Sequence, residues 1–181
     1  TPDAQTLTSQ YLKEIIEFNA AHNIVGRRSP QDILNFDIKD SQTILEHTKD
    51  RKYILDIGSG AGLPGIIIAI HQPQNRVVMS EKNKKKAYFI KKTIKSLGLK
   101  NAEILDYAIT SKTKGLGPFD VITARALAET KKIINMSEQL LTDTGIFLLM
   151  KGKKERILDW VNGLDINQYS YTIHTKTLDQ M

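Results

Sequence analysis

An apolar run, YILDI over Tyr53–Ile57, passes directly into GSGAGLPG over Gly58–Gly65 and then into the apolar IIIAI. A strand that ends in alternating glycines and leads at once into a helix predicts a turn whose backbone, free of Cβ atoms, comes close to a ligand. The rhythm continues downstream. Strands are predicted at Tyr53–Ile57, Arg76–Ser80, Ala102–Leu105, Phe119–Thr123, Gly145–Met150 and Tyr169–Ile173, with helices near 64–71, 84–97, 129–141 and 154–162. Such βαβ alternation requires a mostly parallel sheet with helices on both faces and ligands at the carboxyl ends of its strands. The first fifty residues read as helix instead: Leu7, Tyr11, Leu12, Ile15 and Ile16 recur at helical spacing. Ser29-Pro30-Gln31-Asp32 then supplies a second helix start, with a capping hydroxyl, proline at the first position and an acid in the first turn. The expected organisation is a short helical cap over 1–50 and an α/β domain over 51–181, forming one compact unit.

Two ligands compete for the turn. Gly60-x-Gly62-x-x-Gly65 matches the dinucleotide fingerprint in letters, but the strand already enters its turn at Gly58 and the last glycine follows Pro64. Asp56 also stands where a pyrophosphate site, built on a helix amino end, tolerates no carboxylate. S-adenosyl-L-methionine carries a sulfonium and an α-ammonium and no phosphate, so Asp-x-Gly-x-Gly-x-Gly over Asp56–Gly62 suits that donor better. Glu81 ends the next strand, where a doubly wound fold sets the acid that accepts hydrogen bonds from ribose hydroxyls. That acid fits NAD as well.

Absences narrow the chemistry. The chain has no cysteine, which removes disulfides, thiolate metal sites and the thiol nucleophile of cytosine C5 methylation. Its four histidines are scattered without ligand spacing, so no metal is expected. No apolar run approaches the ~18 residues of a membrane span, and a cytoplasmic protein is the expectation. Adenine amino-group methylation uses an Asn/Asp-Pro-Pro-aromatic clamp after the fourth strand, where this chain reads TARALAE. A ring nitrogen such as guanine N7 already presents an in-plane lone pair and needs no general base. Proximity and desolvation then supply most of the acceleration.

LDIGSGAGLPGIIIAI, SEKNKKKAYFIKK, FDVITARALA and LLMKGK, in this order and spacing from about Leu12 to about Trp160, resemble the small-subunit ribosomal RNA guanine-N7 methyltransferase G family, also called glucose-inhibited division protein B. The resemblance implies a Rossmann-like S-adenosyl-L-methionine-dependent methyltransferase that modifies N7 of a guanine in 16S ribosomal RNA, on the RNA or the small subunit, as a monomer. It implies donor contacts from Gly58 and Leu63, within the turn that includes Gly60, and a role for Arg125, with Thr123 in place of the family's serine. It also places the backbone of Ile109 and Thr110 near the adenine. The chain departs from the family ahead of the domain: the usual Arg-His-x-x-Asp-Ser reads Phe36-Asp37-Ile38-Lys39-Asp40-Ser41.

The charge agrees with an RNA partner. Formal net charge is +6, and the stretch from Lys82 to Lys100 holds eight lysines and no acid. Lys151, Lys153, Lys154 and Arg156 form a second cluster after the fifth predicted strand, placed to meet phosphates near the target base. Arg125 could hold the donor's carboxylate, engage the guanine, fix a phosphate, or pair structurally with Glu129. An NAD-dependent oxidoreductase and a non-catalytic RNA-binding module are the alternative readings.

Overall fold

The computed structural model describes residues 2–27, 29–152, 164 and 168–175. Its centre is a parallel sheet in the order β3-β2-β1-β4-β5, with β1 Tyr53–Ile57, β2 Arg76–Ser80, β3 Ala102–Leu105, β4 Phe119–Arg125 and β5 Leu141–Met150. β1 pairs with β2 from Tyr53↔Arg76 to Ile57↔Ser80 and with β4 through Ile54↔Val121 and Asp56↔Thr123. The strand order reverses between β2 and β4, so the carboxyl end of β1 is the switch point where such sheets hold ligands.

Four helices precede the sheet, α1 Ala4–His22, α2 Pro30–Ile33, α3 Lys39–Gln42 and α4 Leu45–Thr48, with a π-helical turn at Leu34–Ile38 between α2 and α3, and α5 Gly65–His71, α6 Lys84–Ser96 and α7 Thr130–Ser137 follow β1, β2 and β4. The predicted Ser29 cap forms, and the structure adds caps at Asp3 and Asn83. Ser29 Oγ accepts from the Asp32 N–H at 3.0 Å, and Asp3 does the same for Thr6 at 2.7 Å. Asn83 caps α6 through the amides of Lys85 and Lys86.

Because successive strand residues point to opposite faces, the sheet makes two cores. Ile54, Val77 and Val121 pack with Tyr11 and Ile15 of α1, Ile66 of α5, and Phe89 and Ile90 of α6. Ile24, Ile33, Ile38 and Ile44 of the amino-terminal region belong to this same cluster. Leu55, Ile57, Val78 and Ile122 meet Phe119, Ile109 and Leu140 on the other face. Each such side chain taken fully out of water contributes about 1.5–3 kcal/mol.

Four sequence expectations are corrected. β4 runs on to Arg125, and the helix predicted to 141 stops at Ser137, whose hydroxyl donates to the Ile133 carbonyl at 2.7 Å before a single 3₁₀ turn drops Leu140 into the core. β5 begins at Leu141, not 145: Phe119 pairs with Leu141 and Val121 with Ile146, so the intervening residues bulge. A Cβ at Gly145 would stand 3.0 Å from the Phe119 carbonyl, which is why the bulge closes on glycine. Tyr169–Ile173 forms no strand. Its alternating Tyr171 and Ile173 stay exposed, while Tyr169 donates to Glu138 and the His174 ring lies 4.5 Å from that of His47. Alternation without a sheet face to bury it does not make a strand. The helix predicted near 154–162 lies outside the described residues.

Candidate functional site

The glycine turn sits at the carboxyl edge of the sheet, and its backbone is held from several sides. The N–H groups of Gly58 and Ser59 both donate to the Ser80 carbonyl at the end of β2, at 2.8 and 3.1 Å. Tyr11, fully buried on α1, donates its hydroxyl to the Ala61 carbonyl at 2.8 Å, and burial pushes its phenol well above the usual range. Sequence periodicity places Tyr11 in the apolar stripe of α1 but gives no sign that its hydroxyl serves the turn.

Three glycines of the turn have a positive φ that side chains rarely tolerate, +67° at Gly58, +61° at Gly60 and +97° at Gly62, and the first two border the opening. Their surroundings differ. A Cβ at Gly58 would meet the Leu127 methyls at 2.5 Å, whereas a Cβ at Gly60 would meet nothing within 4 Å. The turn is therefore covered at Gly58 and open at Gly60. Glu81 stands beside that opening. One carboxylate oxygen accepts from the Gly60 N–H at 2.9 Å and the other from the Asn83 N–H at 2.7 Å. Each oxygen keeps a further lone pair for another donor.

Asp56, read in the sequence as the acid beside the ligand's cations, turns the other way. It is fully buried, with Oδ2 accepting from the Gly65 N–H at 3.0 Å and Oδ1 without a hydrogen-bond partner. Burial raises its carboxyl to about 6, with the Glu81 charge acting in the same direction, against the nearby Ser59 hydroxyl, the Gly65 hydrogen bond and the Arg125 charge, which favour the ionised form. Asp56 braces the start of α5 from beneath.

Leu63 is 2 % exposed, packed in the core under the turn. Ile109 is also buried, in the opposite core. Thr110 is exposed; its N–H donates to Thr113 Oγ1 at 3.0 Å and its carbonyl accepts from Gln139 at 3.2 Å.

Arg125 lies on the same sheet face as Asp56, at the end of β4, and reaches the amino-terminal helices. Its Nη1 donates to Asp37 Oδ1 at 2.9 Å, with Asp40 at 3.8 Å and the Phe36 carbonyl at 3.4 Å. Arg27 approaches the other Asp37 oxygen at 3.4 Å and stacks its guanidinium 4.7 Å over the Phe36 ring. The structural partner offered by the sequence was Glu129; the structure pairs Arg125 with Asp37 and Asp40. The π-helical turn at 34–38 buries Asp37 and Ile38 together and so aims the carboxylate at β4. No sequence signal distinguishes that turn from ordinary helix.

Lys151 is half-buried, its Nζ donating to the Ala128 carbonyl at 2.5 Å in the loop that carries Leu127. Burial pulls its ammonium down, with Glu129 opposing. Lys153, Lys154 and Arg156 lie outside the described residues. Among the described residues, no group of three His, Asp or Glu side chains could hold a metal, and no helix is long and apolar enough to cross a membrane.

A parallel sheet of this order, with its glycine turn after β1 and an acid at the end of β2, is a Rossmann-like fold, and solved methyltransferases share it. The crystal structure of precorrin-6y C5,15-methyltransferase from Geobacter metallireducens superposes with a TM-score of 0.57 at 17% identity, over 78% of this chain and 72% of that one. A SAM-dependent methyltransferase from Thiobacillus denitrificans, in complex with S-adenosyl-L-homocysteine, gives 0.56 at 16% identity over 73% and 52%. Within that class, residues 4–173 match the model of the rRNA small subunit methyltransferase G family, and the chain belongs to it. The ribosomal RNA small subunit methyltransferase G of Helicobacter pylori is 36% identical over 148 residues, covering 82% of each chain. That of Chromobacterium violaceum is 30% identical over 149 residues, covering 81% of this chain and 69% of the relative.

Proposed function

We propose that the chain binds S-adenosyl-L-methionine at the glycine turn and methylates N7 of a guanine in small-subunit (16S) ribosomal RNA, in the cytoplasm and as a monomer. The observation that carries the reading is the pairing of Gly60 and Glu81. A left-handed glycine with empty space at its Cβ direction adjoins a carboxylate bonded to that glycine's own amide. The cradle suits a ligand with hydroxyls and cations, and membership of the methyltransferase G family supports the choice of donor and acceptor.

In this reading Gly58 and Gly60 let the methionine part of the donor lie against bare backbone, and Glu81 accepts from the ribose hydroxyls. Leu63 fills the floor, and the Ile109–Thr110 backbone borders the adenine. The donor supplies an electrophilic methyl on a sulfonium. The chain's own contribution is position: Arg125, at the edge where donor and base meet, fixes an anionic group of the donor or of the RNA, and the helical cap over 1–50 holds that guanidinium in place. Arg125 is a cation near a sulfonium, so contact through an intervening carboxylate or phosphate is favoured. Lys151, Lys153, Lys154 and Arg156 add phosphate contacts beside the same edge. No general base is required, because N7 attacks with an existing lone pair.

Calorimetric titration with S-adenosylhomocysteine and, separately, with NADH distinguishes this reading from an oxidoreductase. Transfer of labelled methyl to 16S ribosomal RNA or small subunits, with the product mapped as 7-methylguanine, tests the reaction. Binding of NADH alone, or RNA binding with no methyl transfer, would overturn it.

A further inference from the structure

α6 begins beside Glu81, capped by Asn83, and runs roughly 20 Å away from the carboxyl edge at about 1.5 Å per residue. Its inner residues Ala87, Phe89, Ile90 and Thr93 are buried. Its outer side carries one stripe at helical spacing: Lys84, Tyr88, Lys91 and Lys95. Tyr88 is 63% exposed, the most exposed large hydrophobic side chain among the described residues. An aromatic ring left in water between lysines has no packing reason to be there. Its ring centroid lies 6.4 Å from that of Phe18.

A groove of about 680 Å³ runs between this stripe and the edge strand β3, with Lys84, Tyr88 and Lys91 on one wall, Glu103 and Asp106 on the other, and Ala87, Ile94, Ala102 and Ile104 as an apolar floor. The two acids are already neutralised. Glu103 pairs with Arg76 at 2.9 Å and Asp106 with Lys84 at 2.8 Å. Among the described residues no ion pair engages Lys91, Lys92 or Lys95, all exposed. The charged lining of the groove thus balances, and the excess positive charge lies on the exposed face of α6 beside it, at Lys91, Lys92 and Lys95 around the ring.

We propose that this face of α6 is the track for the single-stranded RNA flanking the target base, with Tyr88 stacking on one base and Lys91, Lys92 and Lys95 contacting successive phosphates. A ring with cations on either side, along an element that starts at the donor edge, is the arrangement by which proteins bind unpaired nucleic acid without reading its sequence. A polyanion is favoured over an apolar protein surface on the exposed face of α6, where Tyr88 stands among Lys84, Lys85, Lys91, Lys92 and Lys95. The inference rests on the RNA methyltransferase reading above and assigns the surface that reading leaves open.

The test uses the full chain, a 16S ribosomal RNA transcript and small subunits. Lys91→Gln/Lys92→Gln/Lys95→Gln is expected to weaken binding to the transcript and lower its log–log salt slope by about two, from ~0.7 per single-strand phosphate contact. Tyr88→Ala is expected to weaken binding about tenfold with an unchanged slope, while Tyr88→Phe binds as the wild type. Affinity for S-adenosylhomocysteine and the melting temperature stay unchanged in the lysine variant and in Tyr88→Phe. Wild-type RNA affinity and slope in the lysine variant overturn the proposal. So does a defect on assembled subunits that is absent on the naked transcript, which would assign the face to a ribosomal protein. A wild-type chain that binds RNA through these residues yet transfers no methyl would refute the enzymatic reading and leave this one standing.

Discussion

Asp56 provides a sharp energetic test of the turn. Its carboxyl is fully buried, with one oxygen on the Gly65 amide and the other without a partner, and burial raises it from 3.8 to about 6. A carboxyl that holds its proton more tightly when folded gives stability that falls as pH rises between those two values. At about 1.36 kcal/mol per pH unit, the gap from 3.8 to about 6 makes ionised Asp56 cost the fold about 3 kcal/mol at neutral pH. About 2 kcal/mol of that is lost between about pH 4.5 and about pH 7. Asp56→Asn keeps an acceptor for the Gly65 N–H and cannot ionise. It adds an amide with no evident acceptor, a penalty of about 1–3 kcal/mol that does not vary with pH. Urea unfolding of both proteins at the two pH values isolates the group, because every other titration cancels in the difference. The variant should gain on the wild type by about 2 kcal/mol on going from the lower to the higher pH. A difference that does not change with pH would show that Asp56 is ionised without penalty, and the account of the buried turn would be wrong.

Other outcomes follow from the same contacts. Asp37→Ala removes the shortest ion pair of Arg125 and the carboxylate beside Arg27 and should lower stability by about 1–3 kcal/mol; in double-mutant cycles its coupling to Arg125, at 2.9 Å, should exceed that to the more exposed Arg27, at 3.4 Å. Equal coupling to both would refute the ranking. Arg125→Lys keeps the charge and loses the planar fork, so methyl transfer should fall nearly as far as in Arg125→Ala; full rate and full donor affinity in both would make Arg125 purely structural. Gly60→Val forces a branched side chain into left-handed backbone and into the open space beside Glu81, so affinity for S-adenosylhomocysteine should be lost, with a stability cost of roughly 1–2 kcal/mol from the backbone. Wild-type affinity in that variant would remove the turn from the donor site. Glu81→Ala should weaken calorimetric donor binding by about 1–3 kcal/mol, since charge-assisted hydrogen bonds to the ribose are lost; an unchanged affinity would count against the ribose assignment.

Much of this protein is written locally. The first three strands are legible to the residue, because their apolar runs are bounded by glycine, asparagine or lysine stretches and each has only one place to go. The glycine turn, Glu81 at its strand end and the Ser29 cap are likewise properties of short segments, set by backbone freedom and by hydrogen bonds within a few residues. The relations between distant segments are not local, and only the fold decides them. Tyr11 bonds Ala61, Asp37 bonds Arg125 88 residues away, and Asp56 turns under the turn instead of towards the opening. A carboxylate's direction and its proton affinity depend on what covers it, and the cover comes from elements brought together by two shared cores. The same reason explains the misread ends: β5 starts early because Phe119 offers a ladder partner at Leu141, while Tyr169–Ile173, with suitable alternation, stays outside the sheet because no apolar face lies beneath it.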